Sequence, residues 1–364
     1  MYRIAQASDQ DRQALFRNTA QKMGMNEAII EKDFWVCLTL DYLFHHCMYK
    51  DLLIFKGGTS LSKAYGLIQR FSEDIDLILD WQALGYGKDE PWEARSKTKQ
   101  DKFNSEANER GEAFLREKLL PVLQKDLTAI LGRPADIVID EDPHVINFNY
   151  PHIFDTVSVL QAIRLEIGAL AAWTPSQEMK ITPYAAEQYQ RVFQQADTII
   201  KTATAERTLW EKLTILHQEA NRPENRPMPK RYSRHYYDLY CIAKSPYMET
   251  ALKNPKLLQD VVDFKMKFYP RAWAKYEEVK EGHIKLVPPE YNLDALRSDY
   301  KSMESMIFGD CPSFDELMQF IKEVESKLIV IMEMQGKTGR RIVKLSATPL
   351  KNRLHMVFCN QGTS

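Results

Sequence analysis

The 364-residue chain has no excess of charge of either sign: 49 Lys and Arg stand against 50 Asp and Glu, a formal net charge of -1. Without a global basic field, any contact with nucleic acid has to come from a local patch. Cysteine is scarce. Cys37, Cys47, Cys241, Cys311 and Cys359 are odd in number, scattered, and never in C-x-x-C spacing, which excludes a disulfide framework or a zinc knuckle and suits reduced thiols. No stretch reaches the roughly 20 apolar residues of a membrane span, and the N-terminal MYRIAQASDQDRQALF has no apolar core of a signal peptide. The expectation is a cytoplasmic protein that makes no membrane contact. Internal repeats and low-complexity tracts are missing too. So is a P-loop: the GKT at 336–338 tempts that reading, but G-x-x-x-x-G-K-[ST] needs glycine where Ile331 stands.

What remains is ordinary globular composition, 44% hydrophobic and 27% charged, over a length that can bury two cores. Residues 8 to 48 read as helix, with Asn26 as a cap and Ile29, Ile30, Phe34, Leu38 and Leu43 as an apolar face. LLIF then reads as a strand, TSLSKAYGLIQR as a helix through Leu61, Ala64, Tyr65 and Ile68, and DIDLIL as a strand. Residues 88 to 118 are strongly charged and read as a loop followed by a solvent-facing helix, with a second helix over about 113–131. Three strand-like runs follow, ADIVID, HVINFNY and VLQAIRLEIGALA. From about 186 the pattern is helical almost throughout, and LIVIMEM, QGKTGRR and IVKLS suggest a closing hairpin.

Residues 55 to 79, FKGGTSLSKAYGLIQRFSEDIDLIL, carry the chemistry. Gly57 and Gly58 lie between a strand and a helix, where the missing side chains let a phosphate approach the backbone. Thr59 and Ser60 add hydroxyl donors, the first turn of the helix offers free N–H groups, and Lys56 stands beside them. Lys63 sits nearby as well, with a solvent-facing side chain as its competing reading. Asp74 and Asp76, two apart on a strand, share one face while Ile75 and Leu77 take the other. Paired carboxylates repel unless a cation lies between them, and Mg²⁺ or Mn²⁺ takes such oxygen ligands together with substrate phosphates. A lone Gly-Gly is usually only a turn, and a lone D-x-D usually two solvated charges. Their conjunction in one strand–turn–helix–strand unit favours a site.

GGTSLSKAYGLIQRFSEDIDL resembles the first motif of the AbiEii/AbiGii toxin family, within the nucleotidyltransferase superfamily that includes polymerase beta and the aminoglycoside nucleotidyltransferases. The match includes Arg70, Phe71 and Ser72 ahead of the acids, and the upstream EKDFWVCLTLDYLF is similar to the family's N-terminal helix. A weaker resemblance extends to about residue 310; the final segment finds no place in it. The resemblance implies a two-metal transfer of a nucleoside monophosphate from an NTP with release of pyrophosphate. It also implies a toxin of an abortive-infection or toxin–antitoxin system, neutralised by a separately encoded antitoxin. Ser72 joins Lys56, Gly57, Gly58, Thr59 and Ser60 as a candidate for holding the nucleotide.

Enzymes resembling this one carry a third carboxylate on a nearby strand, and Glu166 in AIRLEIGAL is the candidate, as metal ligand beside Asp74 and Asp76 or as general base. The competing reading is a salt bridge with Arg164 on the same strand face. Lys212 in ERTLWEKLTILHQEA and Asp238 in SRHYYDLYCIA resemble the family's later motifs, where a lysine and an aspartate complete the site. Lys212 suits the triphosphate or the leaving pyrophosphate, and Asp238 the orienting of that lysine or the acceptor. An interhelix ion pair is the competing reading for both. Between them Arg222, Arg226, Lys230, Arg231 and Arg234 sit among prolines and tyrosines with only Glu224 opposing, a candidate grip for an RNA acceptor such as tRNA. His45 and His46, next to Cys47, lack metal-ligand spacing.

The expected fold is α/β (α+β). A nucleotidyltransferase-type mixed sheet flanked by helices fills residues 1–185, a mostly α-helical domain completes the cleft over 186–325, and an extension follows over 326–364. Lys212 and Asp238 are expected to face Asp74 and Asp76 across that cleft, with the 221–235 loop at its rim. A metal-dependent nuclease is the first alternative, but Glu166-Ile-Gly168 lacks the lysine many such nucleases place two residues after an acid. A nucleotide-binding module without catalysis is the second, and it has no need of two acids for metal.

Overall fold

The computed structural model describes residues 1–337 except 73, 157–158, 169 and 171–174. Three helices open the chain: α1 (Tyr2–Ala5), α2 (Asp9–Met23) and α3 (Glu27–Asp41). Asn26 starts α3 by accepting the Ala28 N–H at 2.8 Å. The apolar side chains of α3 then reach the interior, with Ile30, Phe34, Trp35 and Leu38 fully buried. A strand, a short helix and a second strand follow: β1 (Leu53–Lys56), α4 (Gly57–Lys63) and β2 (Asp74–Leu79). Beyond them come α5 (Lys97–Phe114), α6 (Leu120–Leu131), β3 (Asp136–Ile139), β4 (Val145–Asn149), β5 (Ile163–Gly168), β6 (Ser176–Ile181), α7 (Tyr184–Gln188) and β7 (Thr198–Ala203).

The seven strands form one mixed sheet in the order β3-β4-β5-β2-β1-β7-β6. β1 runs antiparallel to β2 and parallel to β7, and β2 runs parallel to β5. The central strands are therefore drawn from distant parts of the chain, each with a neighbour on both sides to pair its backbone. The remaining helices, α8 (Ala205–Ala220), α9 (Ser233–Ala243), α10 (Pro246–Leu252), α11 (Pro255–Phe268), α12 (Tyr276–Lys280), α13 (Leu293–Glu304) and α14 (Phe314–Lys337), pack as a bundle with α8 at its centre.

Two hydrophobic cores result. One lies between α3 and the sheet and takes in Phe264 and Phe268 of α11; the other fills the bundle and takes in Leu61 of α4 and Ile68. The segment from Gly57 to Phe71 thus joins the two. It is fastened to the bundle by Phe71 N–H donating to the Met306 carbonyl (2.8 Å) and Phe308 N–H to the Gln69 carbonyl (2.7 Å), around an isolated bridge between Arg70 and Ile307.

Three local expectations change. The helix after the glycines ends at Lys63, because Gly66 adopts φ 61° and turns the chain toward Ile307. Residues 198–203, in the tract from about 186 read as helical almost throughout, form β7 instead: Thr198, Ile200 and Thr202 are buried while Ile199 and Lys201 are exposed, the period of a strand. LIVIMEM, read as the first strand of a hairpin, belongs to α14, where Leu317, Ile321, Val324 and Leu328 bury one helical face. IVKLS, the other half of that hairpin, lies outside the described residues.

Candidate active site

The alternation of DIDLIL places Ile75 and Leu77 in the core, fully buried, and leaves Asp74 and Asp76 partly exposed on the opposite face. Register then sets neighbours beside them. Lys56 on β1 is opposite Asp76, and Asp76 is in turn beside Glu166 on β5, so a cation and two carboxylates cross three adjacent strands in one row. Asp74 is beside Arg164 two pairs away.

Gly57 is glycine for two reasons: its φ is 82°, and a Cβ there would lie 1.8 Å from Asp76 Oδ2. A Cβ on Gly58 would come within 2.7 Å of Ser72 Oγ and 2.8 Å of Arg70 Nη2. The turn is therefore pressed against the acids. Thr59 donates to the Asp74 carbonyl and lies 3.0 Å from Ser72 Oγ; Ser60 donates to the Gly57 carbonyl at 2.8 Å. Both hydroxyls are buried, so they shape the turn in this structure. The Lys63 side chain neither faces solvent nor is left free for a phosphate: it is buried, with its Nζ 2.7 Å from Asp33 Oδ1 and 3.7 Å from the centre of the Tyr184 ring.

The carboxylates strain against one another. Burial and its neighbours Asp76 and Asp74 push Glu166 up to about 7, against the pull of Arg164. Burial also raises Asp76, opposed by Lys56. Arg164 holds the group together, with Nε 3.6 Å from Asp74, Nη1 2.9 Å from Asp140 and Nη2 3.6 Å from Glu166. The salt bridge weighed against a site role for Glu166 is thus present, in a wider network. Asp76 and Glu166 in that row, with Asp74 two residues along β2, are hard oxygen groups of the kind a divalent cation takes. Among the described residues no three acids, histidines or cysteines are gathered closely enough to grip an ion as placed; Arg164 bridges the acids in that arrangement.

The helical bundle supplies the facing side. Lys212 on α8 lies 2.8 Å from Asp238 Oδ2 on α9 and 3.0 Å from His235 Nδ1. Arg70 forks onto the same carboxylate, Nε at 2.6 Å and Nη2 at 2.9 Å. Asp238 has no solvent exposure, and although burial opposes its charge, Arg70 and Lys212 hold it well below the usual carboxylate range. Lys212 and Arg234 are close enough to Asp76 for their charges to favour its ionised form. Lys212 is therefore near enough for its charge to act on Asp76, while its direct contacts are with Asp238 and His235, and Asp238 is engaged with Arg70 and Lys212.

The model of the family described as "Nucleotidyl transferase AbiEii toxin, Type IV TA system" matches residues 41–320. The chain belongs to this AbiEii family. It is a nucleotidyltransferase toxin of the type IV toxin–antitoxin class. Among solved structures, MenT4, a nucleotidyltransferase toxin from Mycobacterium tuberculosis H37Rv, is similar at 15% identity with a TM-score of 0.48, over 89% of this chain and 95% of that one. No curated protein matches the chain.

In this AbiEii toxin the basic loop is only partly what its composition suggests. Arg222 is buried and forks onto Glu219 at 2.6 and 2.8 Å, so it is not a free cation at a rim. Arg226, Lys230 and Arg231 are exposed, and Arg234 is half-buried and near enough for its charge to favour the ionised forms of Asp76 and Glu166. Asp299, far away in sequence, accepts the N–H groups of Arg231 (2.6 Å) and Ser233 (2.8 Å). A second cationic group has only Lys56 among the motifs. Lys56, Arg207 and Lys265 surround Glu211, which Arg207 contacts at 2.8 Å. Burial, Arg207 and Lys56 bring Lys265 down to about 8 despite Glu211. Glu211 precedes Lys212 in the sequence, and that adjacency is the available signal. Lys265 carries none, since a lysine on an amphipathic helix usually faces water.

Proposed function

We propose that this toxin transfers a nucleoside monophosphate from an NTP to an RNA acceptor, tRNA being the best candidate, in the cytoplasm, until a separately encoded antitoxin counters it. The observation that carries the reading is the row Lys56–Asp76–Glu166, with Asp76 pressed against the Gly57–Gly58 turn. A row of acids beside a side-chain-free turn suits a polyphosphate brought in with its counterions.

A divalent cation, Mg²⁺ or Mn²⁺, held by Asp74, Asp76 and Glu166 would neutralise the phosphates and favour the ionised form of the attacking hydroxyl. The chain's own residues do the rest. The turn from Gly57 to Ser60, with Ser72 behind it, admits the phosphates to the backbone, and Lys56 flanks them. The acceptor oxygen forms a bond to the α-phosphorus as the bond to the β-phosphate bridging oxygen breaks. Glu166 either completes the ligand set or takes the proton of the hydroxyl. Pyrophosphate carries away the electron pair, and Lys212 offsets its charge. Asp238 fixes the direction of Lys212, with Arg70 fixing Asp238. With Arg222 neutralised, Arg226, Lys230, Arg231 and Arg234 make up the acceptor surface of the basic loop.

Incubation with each α-labelled NTP, Mg²⁺ and cellular RNA, resolved on a denaturing gel, tests the reading. Label on RNA is expected. RNA shortened without label means a nuclease, and neither label nor cleavage means a binding module.

A further inference from the structure

The turn after α8 and the loop after α11 meet around one indole. The guanidinium carbons of Arg222, Arg226 and Arg271 lie 4.9, 5.8 and 5.8 Å from the centre of the Trp273 ring. Of the three, Arg222 is neutralised by Glu219. Arg226 and Arg271 are exposed, and neither forms a salt bridge among the described residues. Of the acids nearby, Glu278 is taken by Lys275 at 3.1 Å, while Glu224 and Glu277 are exposed. The platform is firmly built. Buried His217 donates from Nε2 to the Lys275 carbonyl (3.0 Å) and accepts the Lys285 N–H on Nδ1 (3.0 Å), which fixes a neutral ring. Ala274 N–H donates to the Arg271 carbonyl at 2.9 Å, and the Tyr291 hydroxyl donates to the Arg222 carbonyl.

The positive charge continues inward from this platform. Arg271 is near enough to Lys265 to affect it, as are Arg207 and Lys56, and Lys56 is opposite Asp76 across β1 and β2. Cations gathered around Glu211 therefore lie between the aromatic ring and the acids. Aromatic faces set among cations hold single-stranded nucleic acid without regard to sequence, the ring stacking a base and the cations taking phosphates. An acidic peptide uses the charge but has no flat face for the indole.

We propose that Trp273, Arg226 and Arg271 form the docking platform for the single-stranded end of the acceptor, one unpaired base stacking on the indole while the two arginines take flanking phosphates. This rests on the acceptor being a nucleic acid, and it adds residues outside the family's motifs and a ring outside the 222–234 loop.

Binding of a short fluorescein-labelled single-stranded RNA, in EDTA and without NTP, tests it across a salt series. The double variant Arg226→Ala/Arg271→Ala should bind roughly ten-fold more weakly, its log–log salt slope shallower by about 1.4, as two lost phosphate contacts on a single strand imply. Trp273→Ala should lose roughly ten-fold with an unchanged slope, and Trp273→Phe, which keeps a ring, should stay within about two-fold of wild type. Binding of a fluorescent NTP should be unaltered in all three. The idea is overturned if the wild-type protein binds no RNA, if the variants bind as wild type does, or if polyglutamate competes as well as RNA while Trp273→Ala has no effect. Failure of the nucleotidyl-transfer reading would show separately, as wild-type protein that labels no acceptor; label on a protein acceptor would overturn the platform and leave transfer intact.

Discussion

Asp238 and Asp76 are both acids of the candidate site, yet their surroundings set them opposite tasks. Asp238 is enclosed with two cations and has every reason to stay ionised. Replacing it by asparagine leaves Arg70 and Lys212 buried without a counter-charge, and breaking such a pair costs about 3–5 kcal/mol. A large fall in thermal midpoint is expected for Asp238→Asn. Because the folded carboxylate lies below its unfolded value of about 3.9, its contribution is present above that pH and disappears as pH falls toward the folded value. Urea titrations from pH 6 to pH 2 should therefore show a shallower acid limb in the variant. Asp76 behaves the other way, since burial raises its pKa and ionisation is a cost to the folded protein. Asp74→Asn and Asp76→Asn should abolish transfer with the thermal midpoint in EDTA held or slightly raised, and near wild-type turnover in either would remove these residues from the chemistry. Glu166, raised to about 7, extends the same logic: in EDTA the wild-type protein should gain stability as pH falls from about 8 to 5, and Glu166→Gln should lose part of that gain.

The unit β1–α4–β2 is legible in the sequence because its signals are local. Alternation fixes which face Asp74 and Asp76 share, and two glycines mark the turn. Register is not legible there, and register puts Lys56 and Glu166 in line with Asp76. β7 escapes the sequence pattern because TIIKTA is short and leads straight into the helical run of α8, so its partner β1, far earlier in the chain, has no trace in periodicity. The early end of α4 is hidden for a similar reason: Leu61, Ala64, Tyr65 and Ile68 keep helical spacing, but tertiary contacts of Leu61 and Ile68 with the bundle, rather than a continued helix, explain it. The Arg164 network and the neutralisation of Arg222 depend on partners that sequence spacing leaves open. At this scale the sharpest expectation concerns the turn. Gly57→Ala places a methyl carbon on Asp76 in a left-handed backbone conformation, which alone costs about 1–2 kcal/mol. Its activity should drop at least a hundred-fold, along with its thermal midpoint, whereas Gly24→Ala, where a Cβ meets nothing within 4 Å, should show the backbone cost and full activity.

Across the whole molecule, the segment from Gly57 to Phe71 links the two cores, and Arg70 reaches a partner 168 residues later. They should therefore melt together, in one calorimetric transition with matching calorimetric and van't Hoff enthalpies. Two transitions would mean that the Arg70–Asp238 fork and the Ile307 bridge do not couple them. The same connections have a consequence for synthesis. Chains leave the ribosome from the N-terminus, and each part folds as its partners emerge. When the Gly-Gly turn and both aspartates are already outside, β1 still lacks β7, Lys212 has not been made, and nothing holds Arg70. Only after the stretch around Met306 to Phe308 appears can the turn be fastened in place. The candidate site is thus left unassembled for most of the toxin's translation. Ribosome-stalled chains ending before residue 300 should transfer no nucleotide, even with Asp74, Asp76 and Glu166 already exposed.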